Sequence, residues 1–168
     1  MVIVLMGVAG AGKTTVGKLL ASQLAWPFAD GDEYHPPANL EKMRNGIPLT
    51  DSDRAPWLEI LRSLIANWIA EGKSAVLACS ALKRAYRERL QEGPEVRFVY
   101  LKGDVALLQA RLRERQGHYM TVQMLESQLA TLEEPEHGLV VDVSHSPEEI
   151  AAEIRSKLAL TESSNQSG

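Results

Sequence analysis

The sequence has little of several features that would place it in other classes of protein. It has one cysteine, Cys79, which excludes an internal disulfide and indicates a reducing, cytoplasmic location. No apolar run approaches the roughly 20 residues that span a bilayer. The formal net charge is −4, so the chain lacks the broad basic character of proteins that bind nucleic acid or anionic membranes. We therefore expect a cytoplasmic protein that binds neither.

What the sequence does contain suits one compact domain. The chain has 168 residues, of which 45% are hydrophobic, and that is enough to bury a full core. The last eight residues, TESSNQSG, contain no large apolar side chain. We predict a single domain over residues 1–160 and a flexible tail over residues 161–168.

Short apolar runs alternate with helical patterns along the chain. Such alternation is typical of an α/β fold in which helices cover both faces of a mainly parallel sheet. The five predicted strands span residues 2–6, 27–29, 75–79, 96–101 and 139–143. The predicted helices span residues 13–24, 38–44, 55–70, 105–115 and 147–158.

A glycine-rich motif follows the first predicted strand and opens the first predicted helix. The segment GVAGAGKT matches the P-loop pattern, with glycines at Gly7, Gly10 and Gly12. In such a loop the backbone N–H groups face an anion, Lys13 reaches the terminal phosphates, and the Thr14 hydroxyl ligates Mg²⁺. The alternative is a glycine-rich turn with an incidental lysine. We predict that the segment, with Thr15, binds ATP or GTP.

Acidic residues end the second predicted strand, beside the P-loop. Asp30 and Asp32 lie on the same side of an extended DGD segment. The third strand ends without an acid, so Asp30 becomes the candidate for a magnesium contact through water, and Asp32 the candidate that accepts the proton of an attacking hydroxyl. The alternative for each is a simple turn residue. Asp142, after the last strand, is the rival metal ligand.

The segment that follows is rich in proline, glycine and aspartate, and we interpret residues 33–56 as an insertion that binds the phosphoryl acceptor. Basic side chains within or near it can meet an anionic group on that acceptor, although each alone is more often a solvated surface charge. They are Arg44, Arg54, Lys83, Arg84 and Arg87. His35 is a candidate for a hydrogen bond to a hydroxyl, or it is a structural histidine.

A second basic segment ends the helix predicted at 105–115. Arg111 and Arg115 lie four residues apart, on one helix face. One can stack on a nucleotide base while the other reaches the phosphates, and residues 115–124 can close as a mobile lid. The alternative is a helix C-terminus enriched in arginine because cations favour the helix dipole. The remaining large side chains of these regions are interpreted as core: Trp57, Trp68, Met120, Met124 and Leu125.

Several of these motifs together resemble the gluconate kinase (gluconokinase) family. The resemblance extends over nearly all of residues 4–142 and is carried by GVAGAGKT, by DGDEYHP with DSDRAPWL, by CSALKRAYR and by RLRERQGHY. It implies a P-loop NTPase fold related to shikimate kinase and the nucleoside monophosphate kinases, with a five-stranded sheet and a mobile lid. It also implies a homodimer that uses ATP and Mg²⁺ to phosphorylate the C6 hydroxyl of D-gluconate.

The resemblance carries residue roles onto matching positions. Asp32 matches the acid near the acceptor hydroxyl, Arg44 and Arg54 match the acceptor-side region, and Lys83 and Arg87 match the CSALK-x-x-YR segment. The lid-side pattern is matched by Arg111, Arg115 and His118. With Lys13 and Asp32, a lid arginine, Arg115, is expected to act in catalysis. Ala9 and Ala11 stand where related sequences often carry serine, a change expected to tune ATP binding because the loop binds through backbone N–H groups.

Two other classes remain as alternatives. A shikimate or nucleoside monophosphate kinase would share the P-loop, but the SALK turn replaces the glycine run of the former and the acceptor segment lacks the pattern of the latter. A GTPase-like switch, or a nucleotide-binding module without catalysis, would lack an acceptor pocket. No NKxD base-reading motif is present in the sequence, which argues against a GTPase.

Overall fold

Five parallel strands form the sheet that positions the candidate site. In the computed structural model, which describes residues 1–114 and 122–162, they are β1 (Val2–Met6), β2 (Phe28–Asp30), β3 (Ala75–Ala78), β4 (Val96–Lys102) and β5 (Leu139–Asp142). Their order across the sheet is β2-β3-β1-β4-β5, and each neighbouring pair is parallel. The predicted five-stranded parallel sheet is therefore confirmed.

The helices lie on both faces of this sheet, as predicted. They are α1 (Lys13–Leu24), α2 (Pro37–Arg44), α3 (Asp51–Ala70), α4 (Arg84–Leu90), α5 (Val105–Glu114), α6 (Val122–Thr131) and α7 (Pro147–Lys157). Ile3 and Leu5 of β1 belong to a core cluster with side chains of α1, α5, α6 and α7. Val2, Val4 and Met6 belong to a second cluster with α3 and α4. Alternate residues of the central strand thus supply the two cores.

Three helices differ from the sequence-based expectation, of which α6 (Val122–Thr131) has no counterpart among the predicted helix ranges. α3 begins at Asp51 instead of residue 55, because Thr50 accepts the Asp53 N–H while the Asp53 carboxylate accepts the Thr50 N–H. This capping box satisfies N–H groups at the helix start and moves the start earlier. α4 was not predicted, although Tyr86 and Leu90, four residues apart, are both buried on one helix face.

The ends of β1, β2 and β3 come together at one edge of the sheet. Leu5 and Asp30 are both in register with Ala78 of β3. Gly31 makes the close approach possible, since a Cβ at that position would lie 2.7 Å from the Ala78 carbonyl oxygen. A 3₁₀ turn over Gly31–Tyr34 then leads the chain away from the edge. The P-loop and the DGD segment are thereby neighbours.

Cys79 lies directly after β3, beneath this edge, and is 1% exposed. Burial raises the pKa of its thiol to about 12. The thiol therefore stays protonated in the physiological range.

Several predicted segments fall partly outside the described residues. Residues 115–121 of the predicted lid and residues 163–168 of the predicted tail lie there, whereas residues 122–124 begin α6. Within 1–114 and 122–162, no helix combines the length and the apolar character required to cross a membrane.

Candidate active site

The P-loop joins β1 to α1 and leaves the start of the helix open to a ligand. Gly10 has a φ of 84°, in the left-handed region, and a Cβ there would lie 2.9 Å from the Leu108 carbonyl oxygen. Only glycine avoids both the strain and the contact. Gly12, the N-cap of α1, offers no side chain to cap the first N–H groups. These N–H groups and the positive end of the helix dipole form an anion site.

Asp30 connects the P-loop to the DGD segment. Thr14 Oγ1 donates a hydrogen bond to Asp30 Oδ2 at 3.2 Å, and the backbone N–H of Asp32 donates to Asp30 Oδ1 at 3.0 Å. A hydroxyl and a carboxylate at this distance are the hard oxygen donors that Mg²⁺ prefers. The donor set at Thr14 and Asp30 therefore fits the predicted ion.

A cavity of about 460 Å³ opens in front of the P-loop. Lys13 and Thr14 line it from α1, and Asp30 and Asp32 line it from the end of β2 and the turn that follows. Residues of further helices and loops complete it, among them His35, Arg54, Trp57, Met124, Ser127 and Gln128. Lys13 and Asp32 therefore face a common space, which is what transfer of a phosphoryl group between two bound molecules requires.

A second cavity of about 320 Å³ lies on the other side of the P-loop. Gly10 and Gly12 line both cavities, whereas Thr15 and Arg111 line only the second. Arg111 is held there by a hydrogen bond from Nη2 to the Val143 carbonyl oxygen at 2.6 Å. A long ligand whose phosphates lie on the loop can thus extend into this cavity with its other end.

His35 and Trp57 stack against each other in the wall of the cavity of about 460 Å³. Their rings stack with centroids 4.3 Å apart and an interplanar angle of 14°, and Trp57 Nε1 donates to the Gly31 carbonyl oxygen at 2.7 Å. The side-chain amide of Asn39 donates to the Asp53 carbonyl oxygen at 2.8 Å and lies 3.2 Å from His35 Nδ1. Nδ1 therefore accepts, and in the neutral ring the proton is on Nε2.

The His35 ring is neutral at physiological pH. Burial, with a smaller contribution from the positive charge of Arg54, lowers its pKa to about 4. Trp57 is 1% exposed, in agreement with its interpretation as a core residue, and Trp68 packs partly buried against the same cluster. Met124 and Leu125 are buried apolar residues of α6, also as expected.

Comparison with known proteins identifies the family. A protein family described as Shikimate kinase matches residues 9–159 of this chain. The gluconokinase of Gluconobacter oxydans (strain 621H) is 51% identical over 134 residues, which cover 79% of this chain and 75% of that protein. The thermoresistant gluconokinase of Escherichia coli (strain K12) is 44% identical over 156 residues, covering 90% and 89%. The chain belongs to the gluconokinase family.

A solved structure agrees with this assignment. The crystal structure of a gluconokinase from Sinorhizobium meliloti 1021 superimposes with a TM-score of 0.85 at 43% identity, covering 94% of this chain and 90% of that one. The gluconokinase relatives favour this family over the shikimate kinase, nucleoside monophosphate kinase and GTPase-like alternatives. The α/β P-loop kinase fold expected from the sequence is confirmed.

Within this gluconokinase-family fold, the predicted acceptor-side cations lie in different environments. Arg54 lines the cavity of about 460 Å³. Lys83 pairs with Asp51 at 2.9 Å instead. Arg87 donates to the carbonyl oxygens of Ala81, Leu82 and Glu133 at 2.8, 3.2 and 2.8 Å, and so ties α4 to the segment after α6. Arg44 is exposed at the end of α2. Of these four, Arg54 alone borders the cavity in the described part of the chain.

Three further candidate residues either lie outside the described residues or line neither cavity. Arg115 and His118 lie outside the described residues. Asp142, the rival metal ligand, is exposed at the end of β5, where its Oδ1 accepts the Ser144 N–H at 2.8 Å. It lines neither cavity. Its geometry is that of a residue that stabilises a turn.

Two residues near the site were not predicted from the sequence. Gln128 of α6 accepts the backbone N–H of Ala9 in the P-loop through Oε1 at 2.7 Å. Tyr86 of α4 donates its hydroxyl hydrogen to Asp51 and accepts from Arg54. In both cases the partners are distant in sequence, so no local pattern links them. A tyrosine inside the CSALKRAYR motif was the available signal for the second.

Proposed function

We infer that this protein transfers the terminal phosphoryl group of ATP to the C6 hydroxyl of D-gluconate, giving 6-phospho-D-gluconate and ADP. The observation that carries this inference is the shared cavity onto which Lys13, Asp32 and Arg54 all face. The choice of acceptor is supported by relatives named gluconokinase that are 51% and 44% identical to this chain.

The P-loop is the proposed binding site for the phosphates of ATP. We propose that Gly7, Gly10 and Gly12 shape the loop around the phosphates while Lys13 and the first N–H groups of α1 hold them. Thr15 and Arg111 would contact the part of ATP that enters the second cavity, which they line. Mg²⁺, when bound, supplies charge neutralisation on the phosphates, with Thr14 as a direct ligand and Asp30 as a ligand through water.

Asp32 is the residue proposed to act on the acceptor hydroxyl. A primary alcohol is a poor nucleophile until it is aligned with the phosphorus atom. The transition state of phosphoryl transfer is loose, so Asp32 mainly orients the hydroxyl and takes its proton late. Lys13 and Arg115 then stabilise the negative charge that spreads over the transferred group.

The carboxylate end of gluconate requires a cation that faces the cavity. Arg54 is our assignment, because a guanidinium can bind a carboxylate through two parallel hydrogen bonds and because Arg54 lines the cavity. His35 Nε2–H, from the same wall, is the proposed donor to a sugar hydroxyl. The other proposed acceptor-side residues are Arg44, Lys83, Arg87 and His118. We assign Lys83 and Arg87 an indirect role, in which their contacts hold the segments that surround the cavity in place.

One experiment tests this function directly. Purified protein with ATP and Mg²⁺ is assayed for ADP release in parallel with D-gluconate, other aldonates and shikimate, and NMR then locates the phosphate on the product. We expect ADP release with D-gluconate and a phosphate on C6. Absence of gluconate-dependent ADP release, or a clear preference for shikimate, would contradict the proposal.

We also propose that the protein is a cytoplasmic homodimer with no nucleic-acid or membrane partner. The negative net charge and the family resemblance support this. Light scattering coupled to size-exclusion chromatography measures the mass in solution, and a monomeric mass would contradict the dimer.

A further inference from the structure

Four polar side chains meet where α3 begins beside α4. Tyr86 Oη donates to Asp51 Oδ1, and Arg54 Nη1 donates to Tyr86 Oη at 3.1 Å. Lys83 Nζ lies 2.9 and 3.1 Å from the two carboxylate oxygens of Asp51. The Tyr86 hydroxyl thus stands between a carboxylate and the guanidinium that lines the acceptor cavity.

The spacing of Asp51 and Arg54 makes this arrangement unexpected. Residues three apart on a helix are neighbours, and an Asp–Arg pair at that spacing can form an ion pair. Here the Asp51 carboxylate is engaged by Tyr86 and Lys83, whose hydrogen bonds lower its pKa, and the charge of Arg54 makes a smaller contribution in the same direction. Among the ion pairs of residues 1–114 and 122–162, none involves Arg54. Its positive charge therefore remains available to an anion in the cavity.

The Tyr86 ring also lies close to both cations. Tyr86 is 5% exposed; Arg54 Cζ lies 5.5 Å and Lys83 Nζ 5.7 Å from the centroid of its ring. Arg54 lines the cavity with Asp32, whereas Lys83 and Tyr86 do not. The ring and its hydroxyl are therefore close to both cations, of which Lys83 pairs with Asp51 and Arg54 faces the acceptor cavity.

We propose that Tyr86 is a positioning residue that keeps Arg54 directed at the carboxylate of the acceptor by holding Asp51 away from it. This proposal rests on the proposed function, in which Arg54 binds that carboxylate. Without the hydroxyl, Asp51 loses a donor and Arg54 loses its acceptor, and the two close into the ion pair that their spacing permits. The acceptor then has to compete with Asp51 for Arg54.

The test replaces the hydroxyl and preserves the ring. Steady-state kinetics are measured for wild type, Tyr86→Phe and a matched control, Tyr100→Phe, whose buried ring likewise carries a hydroxyl hydrogen-bonded to a carboxylate, that of Glu134 at 3.4 Å. For Tyr86→Phe we expect the KM for D-gluconate to rise about tenfold, as for loss of a hydrogen-bonded charge contact. The kcat and the KM for ATP should stay near those of wild type, and Tyr100→Phe should leave all three near wild type.

A double variant separates positioning from packing. Asp51→Asn combined with Tyr86→Phe removes the carboxylate that would capture Arg54, so the KM for gluconate should return to near the wild-type value. The proposal is overturned if Tyr86→Phe leaves that KM unchanged, if Tyr100→Phe raises it equally, or if the double variant fails to restore it. Wild-type protein without gluconate-dependent ADP release would overturn the proposed function and this proposal together, whereas failure in the variants alone overturns only this proposal.

Discussion

The backbone N–H of Ala9 donates to Gln128 Oε1 at 2.7 Å, so a side chain of α6 holds a P-loop amide. Ala9 lines the cavity of about 460 Å³ and does not line the second cavity. In the proposed binding mode, this amide faces the end of ATP that carries the transferred phosphoryl group. A phosphate oxygen that takes this N–H must displace Gln128.

The first prediction concerns this displacement. Gln128→Ala removes the competing acceptor, so a non-hydrolysable ATP analogue should bind about fivefold more tightly, as for one neutral hydrogen bond, while ADP binding should change less. Isothermal titration calorimetry measures both. Gln123→Ala, an exposed glutamine of the same helix, is the matched control and should bind both ligands as wild type does. Unchanged or weaker binding of the analogue to Gln128→Ala would refute the competition.

The second prediction concerns the proposed proton acceptor. Asp32→Asn keeps the shape of the side chain and removes its basicity, so turnover should fall by at least about 10²-fold while ATP affinity stays near normal. ADP-coupled kinetics and nucleotide titration measure the two quantities separately. Glu41→Gln, an exposed acid of α2, serves as the control for loss of one negative charge. Turnover near the wild-type rate in Asp32→Asn would remove Asp32 from the mechanism.

The third prediction distinguishes the two candidate magnesium acids. Asp30 accepts hydrogen bonds from Thr14 and from Asp32 N–H, so Asp30→Asn should raise the Mg²⁺ concentration for half-maximal activity about tenfold or more, as for other residues that support a metal site through a bridging group. Asp142→Asn should leave it unchanged, because Asp142 lines neither cavity. Activity is titrated against Mg²⁺ at saturating ATP. The opposite ranking of the two variants would assign the ion to Asp142.

The fourth prediction follows from the neutral His35. Its pKa falls from 6.5 to about 4 on folding, so the unfolded chain binds a proton more readily than the folded one. The stability contributed by neutral His35 is complete above pH 6.5 and is lost as the pH falls toward 4, by up to about 3 kcal/mol over the full interval. Urea unfolding at a series of pH values measures this slope.

The variant for this test is His35→Gln, which keeps a hydrogen-bonding group and does not titrate. Its free energy of unfolding should depend less on pH between 6.5 and 4 than that of wild type. His137→Gln, at an exposed position, should retain the wild-type slope. Equal slopes in wild type and His35→Gln would exclude His35 as the source.

Local patterns predicted the strands and α1 well, because both depend on neighbouring residues. The five-residue apolar run of β1 and the loop that opens α1 at Lys13 agree with the structure. The start of α3 was placed too late because the Thr50–Asp53 capping box outweighed the proline and aspartate content of that stretch. The short helix α4 was missed, since only Tyr86 and Leu90 mark its buried face.

The candidate site was predictable where a motif carried it and unpredictable where tertiary contacts did. The glycine loop and the DGD segment identified Lys13, Asp30 and Asp32 as neighbours, and the structure places all three on one cavity. The contact between Ala9 and Gln128 joins residues 119 positions apart. Likewise, the packing of α3 beside α4 decides that Arg54 borders the cavity. No pattern of neighbouring residues in the sequence indicates that packing.

The buried thiol of Cys79 has a practical consequence. Thiol-reactive dyes are attacked by the thiolate, which is the nucleophile, and a cysteine with a pKa of about 12 supplies almost no thiolate near neutral pH. The natural sequence can therefore serve directly as a background-free scaffold for fluorescent labelling. A dye pair attached to cysteines introduced on the surfaces of α2 and α6 would report the distance between the two helices in solution as each substrate is added.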